Sequence, residues 1–452
     1  MKDALHADKI KKHFNEVLEG LEYDLSVIVA GIVTKISGMK IEASNLFVPL
    51  GTICKIMLSD SHFINAEVIG FSGNITYLMA LGHVDGIKQG TLVIPVSKSR
   101  QARVSMALLG RVVDATGHPI DGHGEIVTTE FYPFISKPIN PLLRRKISEP
   151  LDVGIRAING LLTVSKGQRL GIFAGSGFGK SVLLGMMTQY TSADVVVVGL
   201  VGERGREVKE FIEENLGNHG IQKCVVIAAP ADTSPLMRAN GAIYATAVAE
   251  YFRDKGLDVL LILDSLTRYA QAQREISLSV GELPATKGFT PSVFAKISQL
   301  VERSGNGIGE KGSITAFYTV LIEGDDHHDP IGDHARSVLD GHIVLSRQLA
   351  DAGHYPAIDI EKSISRVMNA VVSEKQIMYA RQFKKLYSAY QQNKDLINVG
   401  MYQQGANKTI DEAIQLKLNF EKFLVQNVNE GCNMQKSLME LYSLFPVQGI
   451  VK

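Results

Sequence analysis

GIFAGSGFGKSVLL, residues 171–184, decides how this chain is to be read. An apolar run enters a glycine-rich turn, and the turn leaves into SVLLGMMTQY, a helix-forming stretch. A strand–turn–helix of this kind aims backbone N–H groups and the positive end of a helix dipole at one point. Gly175, Gly177 and Gly179 let the backbone curl around a phosphate without Cβ clashes. Lys180 supplies a point charge for the β- and γ-phosphates, and the Ser181 hydroxyl is placed to ligate Mg2+. The expected nucleotide-binding stretch is Gly175, Ser176, Gly177, Phe178, Gly179, Lys180, Ser181 and Val182. The first glycine of G-x-x-x-x-G-K-[ST] is missing, because Ala174 stands there. Gly-Lys-Ser/Thr by itself says little, since roughly 0.2 such tripeptides arise by chance in a chain of this length. The flanking strand and helix carry the reading.

Two further stretches complete a site. DVLLILDSLTRYA, residues 258–270, is an apolar strand ending in Asp264. In an open α/β sheet that strand tip lies on the edge where a phosphate loop also lies. A carboxylate there can hold Mg2+ directly or through water, although a helix-capping Asp would look the same locally. VVVVGLVGERGREVKEF, residues 195–211, delivers Glu203, Arg204, Arg206 and Glu207 at another strand tip. A Glu there suits the base or orienting group that hydrolysis needs. The bare residues fit a solvated charge cluster equally well.

Around this centre the chain changes texture. Residues 1–22 place Leu5, Ile10, Phe14, Val17, Leu18 and Leu21 on one stripe of an amphipathic helix. That stripe either packs on its own domain or docks a partner. From 23 to 97, short apolar segments separated by turn residues suggest a small β-barrel, with Pro95 near its end. From 98 to 375, apolar strands alternate with helices, the pattern of a parallel sheet covered on both faces. From 376 to 452 the chain reads as helical: Tyr379, Phe383, Leu386, Tyr387 and Tyr390 share a stripe, and Thr409 with Glu412 forms a capping-box pattern.

Composition narrows the function. The 452 residues carry 47 basic and 47 acidic side chains, so the formal net charge is zero. That argues against a general nucleic-acid binder. Three scattered cysteines argue for a reducing compartment and against a thiolate zinc site. No apolar run reaches membrane-spanning length, so a cytoplasmic protein is expected. Asp325-Asp326-His327-His328-Asp329 resembles a metal tract, but adjacent residues rarely converge on one ion, so no dedicated metal site is expected there.

GSGFGKS, GLVGERGREV and VLLILDSLTRYAQAQREI together resemble the rotary ATPases, the F-type α/β subunit family, over essentially the whole chain. APADTSPLMR, PATKGFTPSVFAKISQLVERSGNG and LDGHIVLSRQLADAGHYPAIDIEKSISR are similar to the type III export ATPases within that family. GDDHHDPIGDHAR resembles the flagellar branch more than the virulence-secretion branch. The resemblance implies a RecA-like P-loop nucleotide domain with an N-terminal β-barrel and a C-terminal helical domain. It implies hydrolysis of ATP with Mg2+, with an injectisome ATPase as the alternative assignment. Two other relatives are possible in principle. A non-catalytic ring subunit would lack Glu203, and an RNA translocase would fit neither the neutral charge nor these phrases.

By the same resemblance, Glu203 polarises the attacking water, with Arg204 and Glu207 in its supporting network. Arg366 becomes an arginine finger reaching a neighbouring subunit, which implies a homohexameric ring. Tyr379 becomes the residue that stacks on adenine, although its spacing after SISR differs from that of the synthase subunits. Ala174 is common among the export ATPases, whereas Phe178 replaces the usual Val. The implied partners are a regulatory stator protein (FliH-like) at the N-terminal helix, a stalk protein (FliJ-like), the export gate, and export chaperones and substrates. No nucleic acid is expected, and membrane contact is peripheral only, at the inner face of the cell membrane.

Overall fold

The computed structural model describes residues 30–59, 61–97, 100–175, 177–322 and 329–445. The N-terminal helix expected over 1–22, Ser176 and residues 325–328 of the acidic-histidine run lie outside them.

Six antiparallel strands, β1 (Gly31–Ser37), β2 (Lys40–Ser44), β3 (Ile53–Met57), β4 (Phe63–Ser72), β5 (Ile75–Ala80) and β6 (Leu92–Ser97), form a closed barrel in the order β1-β2-β5-β4-β3-β6. Side chains alternate as a closed sheet requires: Ile41, Ala43, Cys54 and Ile56 are buried while their neighbours are partly exposed. Pro95 lies inside β6, opposite Cys54, so the barrel runs slightly past it. The barrel strands up to Met79 and from Val84 form one compact unit, and Ala80–His83 with the described residues from Arg100 onward belong to another.

That second unit is built on a nine-stranded sheet. From one edge the strands run Ile358–Ser365, Gly341–Leu345, Arg169–Ala174, Ser313–Leu321, Asp258–Asp264, Val195–Val201, Cys224–Ala229 and Val112–Asp114, with the short Gly305–Asn306 pairing antiparallel to Ser313–Leu321. The edge strand Ile358–Ser365 is antiparallel to its neighbour, and the remaining pairs on this path are parallel. All seven residues of Val195–Val201 are buried, which explains its unbroken apolar run. Register brings the central tips to one level: Ala174 lies opposite Leu321, Leu263 opposite Tyr318, and Leu200 opposite Asp264.

Three longer helices follow, Glu374–Asn398, Lys408–Leu424 and Met434–Ser443, and they belong to the same compact unit as the sheet. The aromatic stripe from Tyr379 to Tyr390 is buried, with Phe383 packed on both Phe420 and Phe423. The capping box expected at Thr409 gives way to an earlier cap. Asn407 accepts the Thr409 N–H at 2.9 Å, because Asn takes the N-cap position as readily as Thr and stands two residues sooner.

Candidate active site

The phosphate loop joins the strand Arg169–Ala174 to the helix Lys180–Tyr190. Gly179 caps that helix with a positive φ and offers no side-chain acceptor. The first N–H groups of Lys180, Ser181 and Val182 therefore have no partner within the helix. Phe178 folds its ring back over Gly175: a Cβ on Gly175 would lie 2.6 Å from two ring atoms. The ring is half-buried and packs on the core, as does Val182. Phe178 thus braces the loop from behind, and only glycine at 175 leaves room for it.

Two carboxylates converge on the lysine. Lys180 Nζ lies 2.5 Å from Asp264 Oδ1 and 3.2 Å from Glu203 Oε1. Asp264 Oδ1 also accepts the Thr319 hydroxyl at 2.6 Å, which ties the tip of the strand Asp258–Asp264 to the adjacent strand Ser313–Leu321. Burial pushes the Lys180 ammonium down, but the Asp264 and Glu203 charges outweigh it and hold the group above the usual lysine range. Burial, reinforced by the Asp264 charge, pushes the Glu203 carboxyl up to about 7. A carboxyl so poised changes protonation near neutral pH, the property a general base requires.

Glu203 is held by its backbone. Gly202, at φ +70°, turns the chain out of the strand, and a Cβ on it would lie 2.8 Å from Cβ of Arg268. The Glu203 carbonyl accepts the Ala231 N–H at 3.0 Å. Asp264, Glu203 and Ser181 line one recess, and Glu207 stands beside them. Arg204 is on the rim: its side chain is 80% exposed and lies 3.8 Å from Glu207. Ser181 and Asp264 are hard oxygen donors, the type Mg2+ prefers. Two protein ligands with space beside them fit a Mg2+ that takes its other ligands from phosphate oxygens and water. Among the described residues, no group of three or more His, Cys, Asp or Glu side chains could hold a metal. Asp329, the described end of the acidic-histidine run, caps a helix through the N–H groups of Ile331 and Gly332.

Arg366 lies away from this recess. Its backbone N–H bonds Asp340 O, and the Asp340 N–H bonds the carbonyl of Arg169, the residue that begins the loop strand. That strand is six residues long. The loop is therefore about 17 Å away at the strand's other end. The guanidinium is exposed and donates to the carbonyls of Leu339 and Arg336, each at 3.2 Å.

Tyr379 requires a correction. It is 8% exposed, and its ring meets Tyr442 and Phe445 edge-on in the helical core. Its faces are taken up by packing, so the expected adenine stack is not available at this position. The tyrosine beside the loop is Tyr355, whose ring atoms lie 3.1 and 3.2 Å from a Cβ built on Gly179, and which is 41% exposed. A tyrosine in the run GHYPAI gives no sequence signal of such proximity; only the sheet brings it there.

The chain is 53% identical to the flagellum-specific ATP synthase of Pseudomonas aeruginosa, over 95% of this chain and 97% of that one. This chain belongs to the flagellum-specific ATP synthase family. Within it, residues 154–365 match the nucleotide-binding domain of the ATP synthase alpha/beta family, and residues 372–443 match the T3SS EscN ATPase C-terminal domain. Lys180, Glu203, Asp264 and Tyr355 fall in the first match, and Tyr379 in the second. Among solved structures, the assembled ATPase EscN from the enteropathogenic E. coli type III secretion system superposes with a TM-score of 0.87 at 42% identity, covering 92% of this chain and 99% of that one. EscN in complex with its central stalk EscO gives 0.85 at 41% identity over the same shares. The β-barrel, the nucleotide-binding α/β sheet and the helical end expected from the sequence are thus the family's architecture.

Proposed function

We propose that this flagellum-specific ATP synthase family member hydrolyses ATP to ADP and phosphate and thereby energises protein export by the flagellar type III apparatus. The observation that carries the reading is the convergence of Lys180, Asp264 and Glu203 on the mouth of a phosphate loop. Lys180 and the helix N-terminus bind the β- and γ-phosphates. Glu203, with a carboxyl poised near neutrality, orients the attacking water and takes up its proton at a carboxylate oxygen. Mg2+, held by Ser181 and Asp264, would supply charge neutralisation across the phosphates. Arg366 completes the site of a neighbouring subunit, since the loop of its own chain is at the other end of the strand. Tyr355 forms the wall against which the purine rests. The closer likeness to a flagellum-specific protein than to EscN favours the flagellar apparatus over an injectisome.

The assembly that follows is a homohexameric ring, with a stalk protein at the helical end as EscN has EscO. A regulatory stator protein would bind the first 22 residues, and the ring would sit in the cytoplasm against the membrane. Substituting Glu203→Gln removes the proton acceptor and keeps the shape. Turnover should fall by at least two orders of magnitude while ATP still binds. Sustained hydrolysis by that variant would refute the role given to Glu203.

A further inference from the structure

The connector between the helices Lys408–Leu424 and Met434–Ser443 bonds the last residue of the phosphate-loop helix and, at its start, Tyr355, whose ring lies beside Gly179 at the helix's first end. Near its start, the Gln426 backbone N–H donates to the carbonyl of Tyr355 at 3.0 Å. The Gln426 side chain is 3% exposed and fully engaged. Its Nε2 donates to Gly154 O at 2.8 Å and Glu430 O at 2.6 Å, and its Oε1 accepts the Arg156 N–H at 2.8 Å. Further along, Val428 O accepts the hydroxyl of Tyr190, the last residue of the phosphate-loop helix, at 3.2 Å. The Cys432 N–H then returns to Gly154 O at 3.0 Å.

A primary amide whose donors and acceptor all meet backbone groups is a staple: it can occupy one place only. The staple fixes the one N–H that holds the Tyr355 carbonyl. Tyr355 in turn lies against Gly179, on the purine side of the site as read above. We infer that Gln426 is a positioning residue for nucleotide binding, setting the place of Tyr355 and so the fit of the purine, while leaving the phosphate-binding groups unaffected. This inference rests on the reading of Tyr355 as the purine wall. Its consequence is that the helical end of the chain, where Gln426 resides, is coupled to base recognition rather than to chemistry.

The test uses the full-length chain, with ATP as substrate and inorganic tripolyphosphate as competitive inhibitor. Gln426→Met keeps the volume and deletes the staple. One net hydrogen bond is worth about fivefold in affinity, so KM for ATP should rise about fivefold to tenfold. kcat and the inhibition constant of tripolyphosphate should change by less than about twofold, because no group that touches phosphate is altered. Tyr355→Ala should give the same pattern, and the double variant should be no worse than Tyr355→Ala alone. Equal weakening of ATP and tripolyphosphate by Gln426→Met would overturn the inference, as would an unchanged KM or an additive double variant. If Tyr355→Ala itself leaves KM unchanged, the purine-wall reading fails instead, and the inference falls with it. Should thermal unfolding show Gln426→Met to be unfolded, Gln426→Asn, which keeps the amide but shortens its reach, decides between the same outcomes.

Discussion

Burial and the Asp264 charge push the Glu203 carboxyl up to about 7, and in the proposed role of water-activating base this would set the acid limb of the reaction. Below that pH the carboxyl is protonated and cannot accept a proton from water; above it the carboxylate can. The pH profile of kcat/KM should therefore rise with pH to a plateau, with a midpoint near 7 rather than near the ordinary 4.5 of a glutamate. A midpoint at the ordinary value would mean that Glu203 is not the group being titrated. A second residue-scale expectation concerns Phe178, which leans on Gly175 at a distance no Cβ tolerates. Gly175→Ala must displace the ring or the loop, a strain of about 1–3 kcal/mol. Gly175→Ala combined with Phe178→Val should recover most of the lost thermal stability, whereas additive losses would show that the two residues do not press on each other. Ala174 is the last residue of a buried strand, and Phe178 fills the space behind the turn.

At the scale of elements, the site is made by strand tips brought to one level, and each tip is turned by a local device. Gly202 turns the strand Val195–Val201 outward at φ +70° while touching Arg268 on the helix Leu266–Ser279, which follows Asp264. Gly202→Ala adds both a strained backbone and a clash, so the Glu203 carboxylate should move. Misplacement of about 1 Å can cost about a hundredfold in rate. kcat should drop by that order, with ATP affinity nearly retained, since Lys180 is on another element. Steady-state kinetics beside a direct ATP-binding measurement would separate the two, and a loss confined to binding would contradict the assignment.

At the scale of the whole molecule, the finger role proposed for Arg366 would make activity a property of the assembly. Arg366→Ala should lower hydrolysis by roughly 10³–10⁵. Mixing it with Lys180→Ala subunits should restore part of the rate, because a ring containing both has interfaces where an intact loop meets an intact finger. No recovery in mixed rings, with assembly verified by light scattering, would place the finger elsewhere. By itself the sequence determined the parts that depend on local pattern. The glycine-rich turn, the apolar strands Val195–Val201 and Asp258–Asp264 and the aromatic helical stripe are set by neighbours in the chain, and their spacing is visible as periodicity. It also offered Lys180, Asp264 and Glu203 as candidates, though the bare residues left Glu203 equally readable as surface charge. Only the tertiary structure decided that these three meet, because register between strands far apart in the chain places their tips together. Only it set Tyr379 and Tyr355 apart: a helical aromatic stripe and a loop tyrosine look alike as residue types, but Tyr379 is buried against Tyr442 and Phe445 while Tyr355 is exposed beside Gly179. The staple at Gln426 was likewise illegible, since apart from Glu430 its partners lie about 70 and 270 residues away in sequence and hydrogen bonds of that range leave no periodic trace.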